Sequence, residues 1–201
     1  MTPTTTTDKG DATRQHILAV AAVAFADDGY AGTSLNDVIK ATGLTKGGFY
    51  FHFASKEALA LEVLSSKRGE WATMVMAEAS KHPRAIDQLA AVPGTLADMK
   101  DTDPAYSAIS NLCVELSKDP ELEPETNKHL LMWVELTTQL LRTAKIEGDV
   151  RLDIDEVAVA DMAVCAFMGM EQVSGMHSEG PSLRQRVDQF CRVLLDAIRV
   201  R

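Results

Sequence analysis

The chain has 201 residues, 46% of them hydrophobic, and a net charge of −9. That length allows one large domain or two small ones with real cores, and that hydrophobic share excludes a disordered chain. The opening residues do not read as a signal peptide and no apolar run is expected to span a bilayer, so a cytoplasmic protein without a membrane partner is expected.

Met1-Thr2-Pro3, four threonines and Asp8-Lys9-Gly10 read as a polar flexible arm over 1–10. From about Ala12 to Asp28, Ile17, Leu18, Ala21 and Phe25 form a helical stripe that Gly29 closes. Ser34, with Asp37 three residues on, looks like a capping box opening a short helix that ends at Gly43. Thr45 caps a shorter helix through about Phe51, and Ser55 caps a long one to about Lys81, stopped by His82-Pro83.

Further helices are expected over about 84–100, with a break or kink at Pro93-Gly94, then over about 104–118 and 125–147. The last two cover 155–175 and 182–200. Segment 155–175 is apolar nearly all round, which calls for two apolar neighbours. One neighbour is its own domain. The other is a second subunit, paired through the last two helices, unless the segment is simply the central helix of a monomer core. Extended alternation is missing, so the chain reads as all-α.

Charge divides unevenly. Residues 1–70 carry seven Lys/Arg and eight Asp/Glu, whereas 71–201 carry thirteen and twenty-one. Cys113, Cys165 and Cys191 show no C-x-x-C spacing and read as reduced, mostly buried thiols.

The most informative stretch is TSLNDVIKATGLTKGGFYFHFASK, Thr33 to Lys56. Two short helices around a glycine turn form a helix-turn-helix, whose second helix fits the major groove of DNA. Thr45, Lys46, Gly47 and Gly48 lie where free amides favour phosphate, and the glycines keep that end thin. Two roles fit Lys46, readout of a guanine edge or a phosphate contact. Phe51 faces the groove, against a thymine methyl or a sugar, while Phe49 and Phe53 pack inward against Phe25 and Leu59. Lys56 opposes the dipole of its own helix, which a phosphate contact would explain. Thr33 and Ser34 are expected to touch phosphate as well as cap. Lys9 and Arg14 read either as further contacts from the arm or as solvated charges.

The patterns ILAVAAVAFADDGYAGTSL, NDVIKATGLTKGGFYFHF and SKEAL resemble the TetR family of bacterial transcriptional regulators. The resemblance implies an N-terminal three-helix helix-turn-helix domain, here 11–57, and a C-terminal helical domain, 58–201, that binds a small ligand and forms the dimer. It also implies that Tyr50 and His52 hydrogen-bond phosphates, with a helix-end cap as the alternative for His52. Where Gly48 stands, the family often has Ala.

A narrower resemblance rests on TKGGFYFHFASKEALA, Trp133 and the run Gly148 to Asp155, similar to γ-butyrolactone-type signalling receptors. It implies that Trp133 lines a ligand pocket. Chemistry alone leaves Trp133 as a pocket wall with one donor or as plain core. Met132, Thr137, Leu96, Met99, Ile109, Cys113 and Phe167 are the expected companions.

The expected partners are therefore a double-stranded operator, a small-molecule effector and a second copy of the chain. No metal, cofactor or catalytic residue is expected. The chain contains no G-x-S-x-G, no G-x-x-x-x-G-K-[ST], no H-E-x-x-H and no zinc-spaced Cys/His cluster. The rival reading is a helical ligand-binding module without DNA binding, supported only by the acidic balance.

Overall fold

The structure, a computed structural model, describes residues 7–103, 105–176 and 180–200. Among the described residues the chain is built from nine α-helices: α1 (Thr7–Gly32), α2 (Leu35–Thr42), α3 (Lys46–Tyr50), α4 (Lys56–Ala79), α5 (Ala85–Thr102), α6 (Ala105–Leu116), α7 (Glu123–Ile146), α8 (Glu156–Met176) and α9 (Leu183–Ile198). The all-α expectation holds. Apart from α1, the helix ends fall close to those read from caps and glycines.

Helix α1 starts earlier than expected, so residues 7–10 are helical rather than part of an arm. Asp11 in its opening turns suits the positive end of the helix. The remainder of the expected arm, 1–6, lies outside the described residues. Gly29, at φ 70° and ψ 170°, interrupts α1 where the sequence places its end.

Two compact units form. The described residues of the first fall within Met1–Gly69 and Pro104–Thr126, and those of the second within Glu70–Asp103 and Asn127–Arg201. The division does not fall at the expected 57/58 boundary. Helix α4 continues unbroken past Gly69, and α6 joins the first unit because α1 packs along it as well as along α2.

The core of the first unit is aliphatic and aromatic, with Ile17, Ala21, Phe25, Val38, Phe49, Phe53, Leu59 and Val63 all buried. Arg68 reaches within this unit to donate to the Thr126 carbonyl at 3.0 Å.

In the second unit α5, α8 and α9 close a small core in which Ala97, Leu183 and Val187 are covered by Phe167, Met170 and Cys191. Helix α5 continues past Pro93 instead of breaking there. The proline leaves the Leu89 carbonyl without its usual donor. The next residue, Gly94, is buried against the Arg184 guanidinium of α9, whose Cζ lies 3.5 Å from where a Cβ would sit. Arg184 continues to Asp98 on α5 at 2.5 Å and to Asp188 on its own helix at 2.8 Å.

Helix α9 opens with a full capping box: the Gln185 amide donates to Ser182 Oγ at 3.2 Å and the Ser182 amide to Gln185 Oε1 at 2.9 Å. Its far end pairs with the loop before α8 through a Val150–Arg199 antiparallel bridge.

Helix α8 corrects one expectation and sharpens another. By length and composition Glu156–Ser174 is apolar enough to cross a bilayer, contrary to the reading that no run approaches that length. The periodic residues Val157, Met162, Cys165, Met168 and Met176 form an exposed stripe, with Met162 59% accessible. The thiols also differ from expectation. Cys165 is exposed, Cys113 and Cys191 are half-buried, and burial pushes the Cys191 thiol up to about 11.

Loss of the α9 cap should be measurable. Ser182→Ala is expected to lower stability by about 1 kcal/mol. Urea unfolding checks this through a lower midpoint with an unchanged slope.

Candidate nucleic-acid interface

The helix-turn-helix forms for local reasons. Helix α2 buries Val38 and Ile39 and ends at Gly43, whose φ of 71° is a left-handed conformation that favours glycine. Thr42 shapes the exit: its hydroxyl donates to the Ile39 carbonyl at 2.7 Å and accepts from the Leu44 amide at 3.3 Å. His16 Nε2 on α1 lies 3.2 Å from the Thr42 carbonyl, so this turn is held from outside as well.

Thr45 then caps α3, its Oγ1 accepting from the Gly48 amide at 3.1 Å. A helix of this length is marginal in isolation. Phe49, fully buried, supplies its anchor, with Phe53 beside it at a ring distance of 6.1 Å. Arg14 locks the chain beyond α3. Its Nη1 donates to the His52 carbonyl at 2.9 Å, its Nε to Glu62 at 2.6 Å, and its guanidinium lies 4.5 Å from the Phe53 ring centre. Arg14 is therefore a clamp within the unit, neither an arm contact nor a solvated charge. The side chain of Lys9 lies outside the description.

This packing leaves Thr45, Lys46, Gly47, Gly48, Tyr50 and Phe51 together on an exposed ridge. Phe51 is 83% accessible, which agrees with an outward role, and it meets His52 edge-on at 5.2 Å. A side chain at Gly47 would meet open space, whereas a Cβ at Gly48 would come within 3.3 Å of the capping Thr45 hydroxyl. Glycine at 48 thus keeps the cap unhindered.

Ser34 is exposed and makes no capping bond. The expected capping box fails because the Asp37 amide donates to the Ser34 carbonyl, at 3.1 Å, instead of to the hydroxyl. Thr33 must be corrected. It is 4% accessible, and its hydroxyl donates to the Gly29 carbonyl at 2.7 Å and to Ala24 at 3.1 Å. It closes the end of α1, and no hydroxyl is presented to phosphate.

Lys56 has a partner the sequence did not suggest. Its ammonium sits 4.3 Å from the centre of the Tyr30 ring. The Tyr30 hydroxyl donates to Glu57 Oε1 at 3.3 Å. Its own backbone amide, with the Ser55 hydroxyl, holds the Glu57 carboxylate below its usual range. Burial, reinforced by Glu57, pushes the Tyr30 phenol up to about 12. No spacing rule connects 30 to 56, so this pair was not legible. Lys40, exposed in the last turn of α2, was also passed over.

The expected pocket residues come from both units. Ile109 and Cys113 belong to the first unit, the other six to the second. Trp133 is 8% accessible, and its indole N–H donates to His129 Nε2 at 2.7 Å, one turn earlier. The donor assigned to a ligand is thus engaged inside α7, and the i, i+4 spacing could have shown it. Thr137 is half-buried a further turn along, and Leu96 and Met99 are buried on α5. Met132 needs correction: it is 40% accessible and lies about 100° around the helix from Trp133. Phe167 packs on the α5–α9 core.

A helix-turn-helix that presents the capped, glycine-bearing start of its second helix defines a DNA-binding transcriptional regulator. The sequence pattern of the tetR family of bacterial regulatory proteins matches residues 17–63. The chain is 31% identical to the solved structure of TylP, a TetR regulator from Streptomyces fradiae, covering 94% of this chain and 87% of that one, with a TM-score of 0.69. The protein belongs to the TetR family.

Two further relatives are similar over most of the chain. The HTH-type transcriptional repressor DhaR of Mycobacterium sp. (strain GP1) is 28% identical over 191 residues, 92% of this chain and 91% of the relative. The A-factor receptor protein of Streptomyces griseus is 27% identical over 186 residues, 92% of this chain and 63% of that protein. TylP and DhaR are regulators by name, and this chain is a regulator rather than an enzyme.

Tyr30 offers a direct check of the geometry. Its folded phenol ionises above the ordinary 10.0, at about 12. The neutral ring therefore stabilises the fold fully below pH 10, and that contribution fades between pH 10 and 12. Alkaline titration by ultraviolet absorbance should show a late tyrosine that is absent in Tyr30→Phe.

Proposed function

We propose that this protein is a dimeric repressor that binds a palindromic operator and is released by a small, mostly apolar ligand. The exposed ridge from Thr45 to Phe51 carries the reading. Backbone amides at the start of α3 and Ser34, Lys46, Tyr50, His52 and Lys56 would hold the phosphate backbone, with Lys46 and Phe51 nearest base edges. Residues 11–57 would serve as the DNA-reading part and 58–201 as the ligand and dimer part, in the cytoplasm.

The second copy is supported by the exposed apolar stripe of α8, which one chain leaves uncovered. Twofold pairing through α8 and α9 would cover it and set two reading helices one turn of DNA apart. The ligand class, γ-butyrolactone-like or butenolide-like, is supported by likeness to the protein named an A-factor receptor and by the buried Trp133 beside Thr137. Release would follow from linkage: a ligand that prefers the wrong spacing of reading helices needs a coupling of only about 1–3 kcal/mol. Helix α4, which passes from one unit into the other, would carry that coupling.

Lys46→Ala and Tyr50→Ala are expected to abolish operator binding in a gel shift while leaving helical circular dichroism unchanged, since both side chains are exposed. Parent-like affinity in both variants would remove α3 as the reading element. Met162→Asp should yield a folded monomer by sedimentation and weaken operator binding by about a hundredfold or more. A parent-like dimer would place the interface elsewhere. Butyrolactones and butenolides added to the protein–operator complex should release the DNA; no release by any of them would remove that ligand class.

A further inference from the structure

We infer that Tyr30 is a positioning residue that holds the Lys56 ammonium for a phosphate of the DNA backbone, an assignment that rests on the DNA-binding reading above. Lys56 opens α4, where the helix dipole repels a cation and its flexible stem would otherwise sweep away from the surface. The Tyr30 ring offsets that repulsion with its negative face, 4.3 Å from the ammonium.

The ring is itself held at both ends. Phe25 packs against it at 5.8 Å, and its hydroxyl donates to Glu57 at 3.3 Å. Glu57 adjoins Lys56 in sequence, so the same turn of α4 supplies both the cation and the anchor of its platform. A lysine loses substantial rotamer freedom when it is fixed. Here that cost is met in the free protein, and binding a phosphate requires little further ordering.

A double-mutant cycle tests this on a duplex recovered by the parent protein from a randomised pool. The readouts are affinity and its slope against salt. Lys56→Ala should reduce the slope by about 1. Tyr30→Leu should weaken binding about two- to fivefold in the parent background and leave the Lys56→Ala variant unchanged. Tyr30→Phe, which keeps the ring but loses its bond to Glu57, should bind more tightly than Tyr30→Leu.

The inference is overturned by an equal loss from Tyr30→Leu in both backgrounds, which marks a merely structural role. Parent-like binding by Tyr30→Leu overturns it too. If Tyr30→Leu unfolds, the parent protein with carbon-13-labelled lysine decides. Ring-current-shifted ε-methylene protons of Lys56, retained on adding duplex, support the platform, and unshifted signals in either state sink it. A parent protein that recovers no duplex defeats the DNA-binding reading itself, whereas a steep parental salt slope with no Tyr30 effect defeats only the inference.

Discussion

The structure depends on keeping a five-residue helix in place at the surface. Such a helix forms too few internal hydrogen bonds to offset the ordering of its own backbone. It persists because its two ends and its underside are each secured by something else. Gly43 turns the chain into it, the Thr45 hydroxyl takes up its Gly48 amide, and Phe49 roots it in the core. Arg14, from the first helix, fastens the exit through the His52 carbonyl. With these positions spent on structure, the outward residues are released from any packing duty.

The acidic balance is reconciled at the same place. Few cations are needed if each one is aimed. In the first unit Arg14 and Arg68 are engaged internally, with Glu62 and with the Thr126 carbonyl. Lys40 and Lys46 stay exposed, and Lys56 rests on an aromatic face. On the proposed reading, attraction for DNA would come from a handful of fixed points and backbone amides, not from a diffuse basic surface.

The helices were readable because glycine, proline and capping residues mark their ends through backbone chemistry that acts locally. Gly43, Thr45 and Ser182 all act as the local rules require. Interactions that span the chain were not readable. Nothing near Arg14 announces Glu62, and nothing near Lys56 announces Tyr30. Thr33 was misjudged because it is buried, with its hydroxyl bonded to the Gly29 carbonyl four residues back and to the more distant Ala24 carbonyl. Met132 was different: helical geometry alone sets it on another face from Trp133. The tetR pattern itself lies in the first third of the chain, where local chemistry and role coincide.

The bond between the Trp133 indole and His129 gives the second unit an optical reporter. Indole emission responds to whatever accepts its proton and to the charge of a neighbouring imidazole. On the proposed reading, a molecule that displaced His129 would change the emission of Trp133, whereas Trp71 is bonded to Asp103 at 2.9 Å. If a ligand binds there, as proposed, its occupancy could be followed in the native chain without a dye.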